Sequence, residues 1–304
     1  MPRRNKAVID TLILPRRRAY RRRRRARVMF WLCGAVVVVS AVMLISRLSL
    51  YGRARDEYDT YRLAMSSEVT ANPTQEVRAV LSDPPPAAVM EVSSDDAAER
   101  ETPAVAAQPS PAPFRSPTVS QLIQNNRDTV GWLSIPGTSV QYPLMRGNDN
   151  AYYTNHTFKR EKNASGAIFM DAWNARDLSD FNTVVYGHNM KDGSMFGNLG
   201  DYHHQSYFNA HSTIEIILED RKLIYKTFAV YQTPDGSSID FRGQNCISQA
   251  ERAEFIRAAR KRSTGISSNI TVARQDRLLT LVTCVGGSRL QYWVVHAVLT
   301  EVIG

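Results

Sequence analysis

The longest apolar run in the chain is Val28–Ile45, VMFWLCGAVVVVSAVMLI, eighteen residues with no charge. As a helix it covers about 27 Å, close to the roughly 30 Å hydrocarbon core of a bilayer. Beyond it the pattern turns polar. Residues 51–65 (YGRARDEYDTYRLAM) suit a short continuing helix, but from Ser66 to Pro117 few large apolar side chains are available to bury. Hydrophobic patterning resumes at Thr118, where Val119, Leu122 and Ile123 have helical spacing. Short strand-like runs then follow at close intervals. They are VGWLSIPGTSVQYPL broken at Pro136-Gly137, Ala167–Met170, Thr183–Tyr186, a hairpin of Thr213–Leu218 with Leu223–Tyr231, and two closing strands, Arg277–Cys284 and Gln291–Val302. One helix interrupts them. Ser248 and Glu251 form a capping-box pair at its start, and Phe255, Ile256 and Ala259 give it an apolar face. Many short strands separated by Gly and Pro turns predict a mainly β fold, a closed or nearly closed barrel with added helices.

The flanks of the apolar run set its orientation. Arg16–Arg18, Arg21–Arg25 and Arg27 lie immediately before it, and basic residues stay cytoplasmic, so the C-terminal bulk is expected outside the cell. The run exceeds the usual 7–15 residues of a cleaved signal, and Ser46-Arg47-Leu48-Ser49-Leu50 is a poor cleavage site. The expected organisation is therefore a basic cytoplasmic arm (1–27), a single transmembrane signal anchor (28–50), an extracellular Pro/Ala-rich linker (51–117) and a catalytic domain (118–304). The linker, with Pro84-Pro85-Pro86 and PAVAAQPSPAP, is expected to be disordered or extended and to act as a spacer.

Charge narrows the function classes. The formal net charge is +9, but residues 1–27 hold twelve Lys/Arg against one acid, a net of +11. Residues 118–304 hold nineteen against seventeen, a net of +2. The basic character belongs to the arm beside the membrane span, not to the domain, which argues against a nucleic-acid partner. Three cysteines, Cys33, Cys246 and Cys284, cannot all pair within one chain, and no Cys/His spacing suits zinc. No cofactor or metal is expected.

A few residues can carry chemistry. Cys284 ends the strand LLTLVTC just before Gly286-Gly287, so its thiol faces a loop-built region. By position alone, a nucleophile and a buried structural cysteine are equally good readings. Cys246 precedes the helix in a polar stretch, and Cys33 lies in the apolar span. A cysteine nucleophile needs an acid/base, most often His. Six are present; His188 follows a strand and a glycine in NTVVYG, yet spacing alone does not single it out. Arg289 is the one Lys or Arg after Cys284, a position open to either a surface role or oxyanion stabilisation.

Two motifs change this picture. Thr280-Leu281-Val282-Thr283-Cys284 resembles the TLxTC motif of sortases, and Tyr186-Gly187-His188-Asn189-Met190 resembles that family's histidine motif. DTVGWLSIPGT (128–138), GNDNAYYTNHTF (147–158), GAIFMD (166–171), DGSMFGNL (192–199) and the helix at 248–262 are similar to segments of class B sortases. The resemblance covers 118–304. It implies a sortase-like closed barrel of about eight strands and a cysteine transpeptidase at the Gram-positive cell surface. By that resemblance, the Cys284 thiolate attacks a carbonyl in the C-terminal sorting signal of a surface protein to form a thioacyl intermediate. His188 protonates the leaving amine. An amine of a peptidoglycan precursor or a pilin then resolves the intermediate. Arg289 would stabilise the oxyanion, and Thr283 and Asn155 would line the substrate groove. One departure stands out: the family places its Arg at the start of the last strand, and here Tyr292 occupies that register, with Arg289 three residues earlier. A surface cysteine endopeptidase and a catalytically degenerate tethered binding domain are the competing functions.

Overall fold

The computed structural model describes residues 29–46, 58–68, 114–234, 241–284 and 291–304. The chain divides into two compact units, Met1–Arg55 and Asp56–Gly304. The first contains helix α1, Met29–Ser46, eighteen residues of mean hydropathy 2.4, long and apolar enough to cross a membrane. The basic arm, most of the Pro/Ala-rich segment and Arg289 lie outside the described residues.

The second unit begins with a helix. Residues 58–68 form α2, which packs on the barrel and so belongs to the folded domain. Tyr58 and Met65 are buried. The Tyr58 ring meets Tyr142 edge-on at 5.1 Å, and Tyr61 meets Phe158 at 5.5 Å. Arg62 donates to the backbone carbonyls of Gln141 and Ser139 at 3.1 Å each. The contacts of this helix lie on Ser139, Gln141, Tyr142 and Phe158.

Helix α3, Pro117–Asn125, starts with the Ser116 hydroxyl accepting from the Val119 amide and Pro117 at the first helical position. Eight strands follow: β1 (Thr129–Ser134), β2 (Gln141–Met145), β3 (Ile168–Met170), β4 (Asn182–Tyr186), β5 (Thr213–Ile217), β6 (Lys222–Pro234), β7 (Leu278–Cys284) and β8 (Gln291–Ile303). They close into a barrel in the order β1-β2-β3-β4-β7-β8-β6-β5. A short helix α4, Gln205–Ala210, lies between β4 and β5, and α5, Gln249–Arg262, lies between β6 and β7. Both halves of the α5 capping box are made, Ser248 with Glu251.

Two pairings position the site. β4 and β7 run parallel, Asn182 to Tyr186 alongside Leu278 to Val282. β7 and β8 run antiparallel, Leu278↔Val298 through Cys284↔Tyr292. The residues of β7 divide by face, because strand side chains alternate. Leu278 and Val282 pack with Phe255, Ile256 and Ala259 of α5, so this is the outer face of the barrel. Leu279, Leu281 and Thr283 have the opposite parity and face the interior, where all three are buried.

A buried polar chain crosses the outer face under α5. The Tyr231 hydroxyl lies 3.0 Å from His296 Nε2, and His296 Nδ1 lies 2.8 Å from the Thr280 hydroxyl. Thr280 donates to Asn182 Oδ1 at 2.7 Å, and Asn182 Nδ2 donates to the carbonyls of Phe241 and Arg242. One hydrogen-bond direction satisfies every atom, from Tyr231 through a neutral His296 to the 241–242 backbone. It ties β6, β8, β7 and β4 to the segment leading into α5.

Candidate active site

The local sequence explains why His188 stands where it does. β4 ends at Tyr186, and the Gly187 amide donates to the Val282 carbonyl at 3.2 Å, carrying the β4–β7 ladder one residue further. A side chain at 187 would collide with Ile168 Cδ1 at 2.5 Å and the Phe196 ring at 2.7 Å, so glycine lets those residues close on the backbone. The His188 carbonyl accepts from the Phe196 amide at 2.9 Å, and Asn189 bridges to Met195. The 188–196 loop is in turn held by the barrel: Ser139 donates to the Gly193 carbonyl at 3.0 Å and the Met195 amide donates to the Tyr142 hydroxyl at 2.9 Å.

The register brings the two motif residues together. Tyr186 pairs with Val282, and two residues further along the parallel strands come His188 and Cys284. His188 and Cys284 thus emerge at the same ends of adjacent strands. Across the next ladder Cys284 is paired with Tyr292. The half-buried His188 ring places Nε2 2.6 Å from the Thr154 carbonyl oxygen.

The other histidines take structural places. His296 is fully buried, and burial pushes its pKa down to about 3, with the Arg262 charge adding to the effect. His156 stacks on Tyr152 at 4.1 Å, His203 stacks on Trp293 at 5.4 Å, and His211 Nδ1 lies 3.1 Å from the Pro136 carbonyl. Cys246 is half-buried against the α5 cluster, and Cys33 lies within α1.

The two residues expected to line the groove part company. Asn155 is exposed and follows Thr154, whose carbonyl meets His188, so it borders the site. The Thr283 side chain is 2% exposed, and its hydroxyl has no hydrogen-bond partner among the described residues.

The structure adds a cluster that motif reading missed. Arg242 Nε donates to the Tyr186 hydroxyl at 3.0 Å, and lies 3.5 Å from Asp171 Oδ2. The Tyr186 hydroxyl donates to the same carboxylate oxygen at 2.9 Å. The Arg242 guanidinium also covers the Phe241 ring at 5.0 Å, and Phe241 in turn meets Tyr292 at 6.3 Å. Burial and the Asp171 charge raise the Tyr186 pKa, keeping its hydroxyl protonated as a donor. The Arg242 guanidinium is thus held against Tyr186, two residues before His188 in sequence. Among the described residues no group of three or more His, Cys, Asp or Glu is placed to hold a metal ion.

Comparisons with known proteins agree with this architecture. A family model described as Sortase domain matches residues 133–300. Sortase B of Listeria monocytogenes is 36% identical over 159 residues, 52% of this chain and 63% of that protein. Sortase B of Staphylococcus aureus is 34% identical over 171 residues, 55% of this chain and 68% of that protein. The matched segment thus spans slightly less than two thirds of the Listeria relative. Among solved structures, a Staphylococcus aureus sortase B–substrate complex superposes with a TM-score of 0.57 at 31% identity, covering 62% of this chain and 86% of that one. Clostridium perfringens sortase B gives 0.56 at 30% identity, covering 60% and 99%. With the family model spanning more than half its length and the barrel carrying the motif residues on neighbouring strand ends, the chain belongs to the sortase family, and the curated relatives it matches are sortases B.

Proposed function

We propose that this chain is a membrane-anchored extracellular transpeptidase that cuts the C-terminal sorting signal of surface proteins and passes them to an amine of a cell-wall precursor or a pilin. The observation that carries this reading is the parallel β4–β7 register, which brings His188 and Cys284 to the same end of adjacent strands. The thiolate of Cys284 attacks a backbone carbonyl, the C–N bond breaks with a proton from His188, and a thioester remains on sulfur. The incoming amine then loses a proton to His188 and displaces the thiol. Arg289 stabilises the developing oxyanion, and Asn155 borders the groove for the sorting peptide. Helix α1, preceded by the Arg-rich arm, holds the N-terminus in the cytoplasm and the barrel outside.

The test uses the full-length chain in detergent, with peptides from the C-terminal ends of surface proteins encoded beside its gene. Mass spectrometry is expected to show an acyl adduct on Cys284 and, with an added amine, a transfer product. Release to water alone in the presence of amines would favour an endopeptidase. The absence of any adduct with every such peptide would favour a tethered binding domain. Protease added to intact cells is expected to remove the barrel and spare residues 1–27; the reverse pattern would overturn the orientation.

A further inference from the structure

We infer that the backbone carbonyl of Thr154 fixes the tautomer and aim of His188, and that Gly166 is the positioning residue that lets this carbonyl stand there. The inference rests on the reading of His188 as the acid/base. It begins with one contact, His188 Nε2 to the Thr154 carbonyl oxygen at 2.6 Å. A carbonyl oxygen only accepts, so Nε2 carries the hydrogen and donates. In the neutral ring the other nitrogen, Nδ1, is then the free base. Nδ1 is therefore the atom that exchanges protons. It takes the proton of the Cys284 thiol, gives it to the leaving amine as the peptide C–N bond breaks, takes one from the incoming amine, and returns it to the departing sulfur.

The acceptor is held on both sides. Tyr153 is fully buried; its hydroxyl donates to Asp128 Oδ2 at 2.7 Å and accepts from Asn126 Nδ2 at 3.1 Å. The Tyr153 carbonyl accepts from the Ala167 amide at 2.9 Å, and the Asn155 carbonyl accepts from the Asn163 amide at 2.9 Å. Thr154 is the last residue of the 3-10 turn Tyr152–Thr154 between these anchors. Its carbonyl thus has little freedom to follow the imidazole, and the imidazole must come to it.

Gly166 is what makes room. Its φ is +58°, a conformation side chains disfavour. A Cβ there would stand 2.5 Å from the Tyr153 carbonyl oxygen, 2.8 Å from the Thr154 carbonyl oxygen and 2.9 Å from the Thr154 carbonyl carbon. These are backbone atoms that cannot swing away as a side chain would. Any larger residue at 166 displaces the very oxygen that orients His188.

The experiment is 15N NMR of histidine-labelled full-length chain in detergent micelles, with steady-state kinetics of peptide cleavage. In the wild type, neutral His188 is expected to carry its hydrogen on Nε2. Gly166→Ala is expected to mix the two tautomers and to lower kcat about tenfold or more. The wild-type spectrum alone decides the matter if Gly166→Ala fails to fold: a neutral His188 protonated on Nδ1 overturns the inference. So does a folded Gly166→Ala enzyme with unchanged tautomer and unchanged kcat. An active His188→Ala enzyme overturns the inference together with the function it rests on, whereas an inactive one beside an Nδ1–H ring overturns the inference alone.

Discussion

Tyr292 stands directly opposite Cys284 across the β7–β8 ladder. The Tyr292 ring also touches Phe241, whose other neighbour is the Arg242 guanidinium. Position 292 is the register at which the family resemblance expects an arginine, so the oxyanion role has two claimants, Arg289 and the Tyr292 hydroxyl.

Arg289→Ala is expected to lower kcat by about 10²–10³ without unfolding the domain, the usual effect of losing one oxyanion donor. Arg289→Lys should recover little, because a point charge does not reproduce the guanidinium fork. Tyr292→Phe keeps the ring contact with Phe241 and removes only the hydroxyl, and is expected to stay near wild type. Steady-state kinetics on the three variants checks this. A crippled Tyr292→Phe beside an unimpaired Arg289→Ala would transfer the role to Tyr292.

The nucleophile assignment is tested by the cysteines in parallel. Cys284→Ala is expected to abolish cleavage and transfer, a loss of roughly 10³-fold or more. Cys246→Ala and Cys33→Ala are expected to leave both intact, since Cys246 packs against the α5 cluster and Cys33 lies in α1. Labelling with a thiol reagent, followed by peptide mapping, gives a second readout. Inactivity of Cys246→Ala instead would relocate the site.

The barrel strands and both motif residues were legible because their signals are local. TVVY and LLTLVTC are apolar runs, each ended by residues that leave the ladder, and a strand end next to glycine is visible without a partner. The juxtaposition of His188 with Cys284 was not local. It depends on β4 pairing in parallel with a strand nearly a hundred residues away, which the family motifs supplied and periodicity could not. Helix α2 was suggested over 51–65 but left in the linker, because its anchoring partners, Ser139 to Tyr142, lie more than seventy residues on. The Thr154 carbonyl is a backbone group and leaves no side-chain signature; its only trace in the sequence is Gly166.

The buried His296 predicts a pH dependence of stability. Its folded pKa is depressed to about 3 by burial, against about 6.5 for the ordinary imidazole. Between those values the unfolded chain binds a proton that the folded chain refuses. This contribution is therefore complete above about pH 6.5 and is lost as pH falls toward 3, with a slope of up to about 1.4 kcal/mol per pH unit. His296→Leu is expected to remove that share of the slope. It should also cost about 1–3 kcal/mol at neutral pH, because the ring bonds both the Thr280 and Tyr231 hydroxyls. Urea titrations at several pH values measure both effects. Identical slopes in the two proteins would mean that His296 is charged in the fold.

Helix α2 is expected to be part of the cooperative domain and to support the histidine loop. Tyr58 is buried on Tyr142, and the Tyr142 hydroxyl accepts from the Met195 amide within the loop that begins at His188. Removing the Tyr58 ring leaves a cavity at the head of that chain of contacts. Tyr58→Ala is therefore expected to destabilise the domain by roughly 2–4 kcal/mol, which for a domain of this size lowers the Tm by about 5–15 °C. Its kcat should fall more than its peptide KM rises, since the affected loop holds the acid/base and not the peptide. Leu63→Ala is the control: Leu63 is 72% exposed on the same helix, and its loss is expected to stay within about 0.5 kcal/mol. A soluble chain beginning at residue 56 should melt well above one beginning at residue 114. Equal melting of the two chains, with wild-type kinetics in both, would reduce α2 to a passenger on the barrel surface.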